Sequence, residues 1–262
     1  MNSFSHIELH HDPRGFATLW LNRPDKHNAF NAEVIAELSQ ALRQLSDDEN
    51  LRLLLLRGRG KHFSAGADLA WMQACAQLDY AANLKDAHRL GDLMDLLYHL
   101  PCPTLAVVQG AAFGGAVGLV ACCDFAIGSR EAQFSLSEVR IGLAPAVISP
   151  YVVQALGERA SRRYALSAER FDGVRARELG LLAECYPEAE LDAALGQWLD
   201  NLLLNSPQAM RVTKALLHDV GSGELSDALR QRTESVIAGI RVSEEGQEGL
   251  AAFLEKRRPA WQ

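Results

Sequence analysis

The chain has 262 residues, 48% of them hydrophobic and 23% charged, a composition ordinary for a globular protein. At this length it buries roughly 70–75% of its unfolded surface without metal or disulfide staples, as one large domain or a domain with a smaller appendage. A net charge of −7 argues against a phosphate-neutralising surface, and so against nucleic acid as a partner, while leaving room for a local basic spot that holds one small phosphorylated ligand.

Taken in chain order, the N-terminal "MNSFSHIELHHDPRG" has neither the apolar core of a signal peptide nor transit-peptide character. "GFATLWLNRP" predicts a strand stopped by Pro24. "NAEVIAELSQALRQLSDD" predicts a helix capped by Asn31, with Val34, Ile35, Leu38, Leu42 and Leu45 at helical spacing. "LRLLLLRG" reads as a strand apolar on both faces. A helix follows in which Leu90, Leu93, Met94, Leu97 and Leu100 form one stripe. "PTLAVVQG" is a second buried strand, and "AAFGGAVGLVACCDFAIGS" reads as a Gly-rich turn, a short small-residue helix and a strand starting near Asp124. Doubly apolar strands separated by helices predict an α/β fold with parallel pairing.

Beyond about residue 150 the pattern becomes mostly helical, through "GERASRRYALSAERF", "GVRARELGLL", "LDAALGQWLDNLLLN", "SPQAMRVTKALLHDV" and "LSDALRQRTESVIAGI", with Ser206 and Pro207 at a helix start. The compositional shift divides the chain into a core over 1–190 and a helical region over 191–262, with no visible linker or repeat. Cys75, Cys102, Cys122, Cys123 and Cys185 are odd in number and lack CxxC spacing, which argues against disulfides or zinc and fits a reducing compartment. No apolar run reaches the ~18 residues of a membrane span. The expectation is a cytoplasmic protein without membrane association.

Four stretches carry the chemistry: "LNRPDKHNAFN", "HFSAGADL", "VQGAAFGGAVGLVACCDFAIGS" and "AQFSLSEVRIGLAPAVISP". Read alone, Ala65–Gly66–Ala67 is either a tight turn out of a buried strand or bare backbone offering an amide to a substrate oxygen. A lone Glu138 is by default a solvated group. In this order and spacing the stretches resemble the enoyl-CoA hydratase/isomerase (crotonase) superfamily, and the likeness runs on through "FDGVRARELGLLAE", "SPQAMRVTK" and "EGQEGLAAFLEKRRP". Within it, "FSAGADLAWM", "LSEVRIGLAPAVISP" and "AFLEKR" most resemble bacterial 3-methylglutaconyl-CoA and isohexenylglutaconyl-CoA hydratases.

The resemblance implies a spiral of ββα units with a C-terminal helical region, an acyl-CoA thioester substrate, and assembly as a homotrimer or hexamer whose C-terminal helices close a neighbouring site. CoA would be part of the substrate, and no separate cofactor or metal is expected; "GAAFGG" lacks the GxGxxG order of a dinucleotide site. It places Ala67 and Gly115 as the amide donors to a thioester oxyanion and Glu138 as the catalytic carboxyl. Lys26, Ala65, Gly66, Asp68, Gly114, Gly118, Phe253 and Lys256 fall in the substrate and CoA set. On their own chemistry Asp68 and Asp124 read as loop caps and Lys256–Arg257–Arg258 as a solvated end. Arg140 is a candidate partner for a substrate carboxylate, and His62 has no assigned role. Typical hydratases of the superfamily carry a second glutamate twenty positions before the first, where this chain has Gly118; a glycine there makes room for, or removes repulsion from, a second substrate carboxylate. The expected activity is hydration of a 3-substituted glutaconyl-CoA in leucine or acyclic terpene catabolism. The alternatives are a Δ3,Δ2-enoyl-CoA isomerase using Glu138 alone and a non-catalytic acyl-CoA- or RNA-binding relative.

Overall fold

The structure is a computed structural model that describes residues 4–262, so the first three residues of the N-terminal stretch read for targeting lie outside it. The chain forms two compact units. One comprises residues through Leu100 with Thr104–Leu195, and the other comprises Pro101–Pro103 with Gly196–Gln262.

The first unit is built on a six-stranded sheet. β1 (Ile7–His11) pairs antiparallel with β2 (Phe16–Leu21). The helix α1 (Ala32–Ser46) follows, and Asn31 caps it as its spacing predicts, accepting the Val34 amide at 2.9 Å. Its apolar face, Val34, Ile35, Leu38, Ala41, Leu42 and Leu45, is buried. β3 (Leu53–Gly58) lies parallel to β2, and Leu53 to Leu56 are all buried because neighbours cover both faces of this central strand. The short helix α2 (Leu69–Cys75) and the long α3 (Tyr80–Tyr98) lead to β4 (Thr104–Val108), buried throughout. Leu93, Met94, Leu97 and Leu100 of the predicted stripe are buried, while Leu90 is only partly so.

The segment "AAF" differs from its reading as part of a turn. It forms β5 (Ala111–Phe113), which leaves the main sheet and starts a second one. Next come α4 (Gly115–Cys122), almost wholly buried, then β6 (Phe125–Ser129) back in the main sheet, and β7 (Gln133–Ser135) parallel to β5. Helices α5 (Ser149–Leu156) and α6 (Glu158–Ser167) precede β8 (Phe171–Asp172), which completes the small sheet antiparallel to β7. After α7 (Gly173–Glu178), β9 (Glu184–Tyr186) closes the main sheet in the order β1-β2-β3-β4-β6-β9. The last two strands are too short to show a periodicity, which is why the region beyond 150 reads as purely helical.

The division between units falls within α8 (Leu191–Leu203). The second unit continues with α9 (Pro207–Ser222), α10 (Asp227–Arg241) and α11 (Glu244–Glu255). Ser206 caps α9 through the Ala209 amide, with proline in its first turn. Ser206 also donates to Glu245 at 2.5 Å, tying α9 to the start of α11. The expected mixed α/β fold with a C-terminal helical region is what the chain adopts. Among the described residues no helix is long and apolar enough to cross a membrane.

Candidate active site

Two parallel stretches of backbone meet beside the small sheet. Ser64 bridges Ala112 in parallel, with the Ser64 amide donating to Ala111 O at 2.9 Å and the Phe113 amide to Ser64 O at 3.1 Å. The pairing ends there, because Gly66 and Gly114 turn the backbone with positive φ and Gly115 is already helical. Three residues past Ser64 stands Ala67, and three past Ala112 stands Gly115.

The surroundings leave these two amides unused. The Phe30 amide donates to Gly66 O and the Asp68 amide to Phe30 O, both at 2.7 Å, which clamps the backbone on either side of Ala67. Gly114 donates to Ser135 O at 2.8 Å, and Gly115 opens α4, where first-turn amides have no helical acceptor. Among the described residues neither the Ala67 nor the Gly115 amide donates to a protein acceptor. Two glycines make the approach possible. Gly66, at φ +93°, lies so close to Phe113 that an added Cβ would sit 2.9 Å from its carbonyl oxygen. Gly114, at φ +53°, faces Glu138, whose Oε1 would lie 3.0 Å from such a Cβ.

Glu138 begins a single 3-10 turn, Glu138–Ile141, just after β7. Its Oε2 is buried with no hydrogen-bond partner. Burial pushes the carboxyl above its ordinary range, opposed only by its own backbone amide. A desolvated carboxyl facing Gly114, next to the free Gly115 amide at the positive end of a helix, combines a proton carrier with a donor to negative oxygen.

The remaining expected residues are distributed over both units. Asp68 caps α2 through the Ala70 amide at 2.9 Å and pairs with Arg23 at 3.1 Å. Burial works to raise its carboxyl, but the Ala70 amide, Arg23 and the Trp71 amide together hold it below the usual range. It pins the loop, in keeping with the capping role its chemistry predicts. Asp124 likewise accepts the Thr104 amide at 2.8 Å and its hydroxyl at 2.9 Å. Lys26 is exposed on the turn Pro24–Lys26, and the Ala65 amide donates to the carbonyl of the next residue, His27, at 2.9 Å. Phe253 and Lys256 belong to the second unit, where Phe253 is exposed on α11 and Lys256 follows its end.

One expectation needs correction. Gly118 opens no room, because a Cβ there would lie 2.3 Å from Ile148 Cγ2 and 3.4 Å from Met94 Cε. That space is packed with apolar side chains. Arg140, exposed, donates Nη2 to the Ala168 carbonyl at 2.9 Å at the end of α6. Residue-level reading also missed Phe30, whose ring lies 3.3 Å from where a Gly115 side chain would start, and Ile148; neither carries a chemical signal in sequence.

Two free amides, one of them next to the glycine that faces a buried carboxyl, on an α/β core followed by helices, fit proteins that hold a carbonyl oxygen while moving a proton nearby. Residues 12–262 match the enoyl-CoA hydratase/isomerase family, and the chain belongs to it. A crystal structure of an enoyl-CoA hydratase from Shewanella pealeana is similar, at 49% identity over 98% of this chain and 96% of that one, with a TM-score of 0.94. So is AtuE of Pseudomonas aeruginosa, at 37% identity over 98% and 99% of the two chains, with a TM-score of 0.94. The 2,3-dehydroadipyl-CoA hydratase of Escherichia coli is 30% identical, over 92% of each chain. The substrate class consistent with this family is the acyl-CoA thioester.

Proposed function

We propose that this protein adds water across the C2=C3 bond of a 3-substituted glutaconyl-CoA, with a methyl or isohexenyl branch. The observation that carries the reading is the desolvated Glu138 carboxyl beside the unpartnered amides of Ala67 and Gly115. The two amides receive the thioester oxygen as it gains charge. Glu138 takes a proton from water while the hydroxyl oxygen bonds to C3, and the C2=C3 electron pair moves toward the thioester oxygen. As that enolate collapses, Glu138 returns the proton to C2, so that one water is added in all. Lys26 and the backbone of Ala65 and Gly66 serve the CoA portion. A dicarboxylic acyl chain is supported by the motif resemblance and by a relative named for 2,3-dehydroadipyl-CoA.

A second reading has one observation in its favour. With position 118 packed by Ile148 and Met94, α4 offers no second carboxyl, and a Δ3,Δ2-isomerase needs only one to carry a proton between carbons. Mass spectrometry after incubation with 3-methylglutaconyl-CoA, its isohexenyl analogue and a Δ3-enoyl-CoA separates the two. A product heavier by one water from either glutaconyl thioester supports hydration. Conversion of the Δ3 substrate without mass change, and no hydration, overturns it in favour of isomerisation.

A further inference from the structure

Gly114, the residue that faces Glu138, also ends a run of contacts that reaches two arginines. Its amide donates to Ser135 O at 2.8 Å, and the Ser135 hydroxyl donates to Ala168 O at 3.4 Å. Ala168 caps the end of α6 in the left-handed region, at φ +50°, and its carbonyl also accepts Arg140 Nη2 at 2.9 Å. Arg140 itself lies two residues after Glu138, in the same 3-10 turn. Arg170 lies two residues after Ala168, with Cζ 5.0 Å from the centroid of the Phe113 ring. Phe113 ends β5 and immediately precedes Gly114, so both arginines are tied to the strand end that carries the site.

Both guanidinium groups are held in place yet keep most of their donors. Of the N–H groups of Arg140, the Ala168 carbonyl takes one on Nη2. The Phe113 ring attracts the charge of Arg170, which among the described residues donates no hydrogen bond. Neither arginine is ion-paired with a carboxylate among the described residues. The carboxylates next along the chain are committed elsewhere, Glu169 to Arg163 and Asp172 to the Arg175 amide at 2.8 Å. Glu138 is not their partner either, since only its own backbone amide opposes the rise that burial causes. Both arginines are exposed, in a chain of net charge −7. An anion that enters beside Glu138 meets two anchored cations with donors to spare.

We propose that Arg140 and Arg170 together hold the second carboxylate of a dicarboxylic acyl chain, and so set a preference for glutaconyl over monocarboxylic thioesters. The proposal rests on the reading of the protein as an enzyme of 3-substituted glutaconyl-CoA, and names the residues that select that substrate. In such a substrate the second carboxylate lies two bonds beyond C3, the carbon that water attacks. Holding the thioester oxygen at Gly115 and C2 at Glu138 keeps this carboxylate near the turn Glu138–Ile141, within reach of a side chain as long as arginine. The fork of N–H donors on a guanidinium matches a carboxylate edge to edge. The selection has a definite sign, because without the clamp an added negative charge meets a chain that is itself negative.

Saturated thioesters, which cannot be hydrated, read the clamp apart from the reaction. Calorimetry on the full chain should give glutaryl-CoA a Kd ~10–100-fold below that of butyryl-CoA, the usual worth of hydrogen bonds to a charged group. The ratio should shrink at about 1 M salt, where exposed charges are screened. Arg140→Gln and Arg170→Gln should each reduce the ratio, and the double variant should abolish it. Arg140→Lys, which keeps the charge and loses the fork, should retain part of it. Both positions are exposed, so the variants should melt as wild type does, and the melting curves check this. A wild-type chain that binds butyryl-CoA as tightly as glutaryl-CoA, or a double variant with an undiminished ratio, would overturn the clamp. An arginine-dependent preference for glutaryl-CoA in a protein that hydrates no glutaconyl thioester keeps the clamp and sinks the proposed reaction alone. Hydration of a glutaconyl thioester without that preference sinks the clamp alone.

Discussion

At the scale of single residues, Glu138 links the site's chemistry to pH. Burial penalises its charged form, so the folded chain holds this proton more tightly than the unfolded chain does. The associated stability is complete below the unfolded value and is lost as pH rises through the folded one. Glu138→Gln removes that loss, so the variant should melt above wild type at neutral pH, with the gap closing below about pH 4. Its hydration rate should fall by ~10²–10⁴-fold. The acid limb of kcat/KM in wild type should have its midpoint above the ordinary carboxyl value of 4.5 and vanish in the variant. An E138Q protein at wild-type rate sinks the mechanism. Gly115→Pro probes the amide instead. Proline is tolerated at a first helical position, so α4 should still form, yet one donor to the oxyanion disappears and the rate should drop ~10²–10³-fold. Near-normal turnover in a protein with a normal melting curve would reduce Ala65–Gly66–Ala67 to a turn.

At the scale of elements, α4 does two jobs at once. Its first residue brings an amide to the site, and one turn later Gly118 lets the helix press against Ile148. Gly118→Ala should destabilise by ~1–3 kcal/mol through overpacking, and Ile148→Ala by ~2–5 kcal/mol through a cavity. The double variant should lose less than the sum, because each change relieves the other. Chemical denaturation measures all three, and strict additivity would show that the two side chains do not share the space. For the same reason Gly118→Glu tests packing before it tests substrate charge. The sequence reading of this region found α4 and β6 but not β5. Three residues carry too little periodicity, and "AAF" becomes a strand only because Ser64 and β7 supply its partners.

At the scale of the whole molecule, the second unit carries apolar residues that it does not cover. α10 has no buried residue, although Leu229, Val236, Ile237 and Ile240 recur at helical spacing along it. Leu225, just before it, is 97% exposed, and on α11 Phe253 is 80% and Leu254 77% exposed. Monomeric proteins seldom leave so much apolar surface on successive helices. Multi-angle light scattering at micromolar concentration should therefore give the mass of a trimer or hexamer. A monomer would leave these faces without an explanation.

The order of motifs in the sequence already contained the family, the α/β core and the helical tail. α1 was readable to its cap, because capping and helical spacing are decided within a few residues along the chain. The bare backbone at Gly66 and Gly114, without Cβ, was also visible in the sequence, together with the two readings of it as a turn or as an amide donor. Only the tertiary structure decided that Oε2 of Glu138 lacks a partner, that the segments leading to Ala67 and Gly115 pair in parallel at Ser64 and Ala112, and that Ile148 fills the space at Gly118. It also joined His27 to His62, 35 positions apart (62 − 27). Burial and juxtaposition of this kind depend on contacts between segments distant in sequence, and no local pattern of residues encodes them.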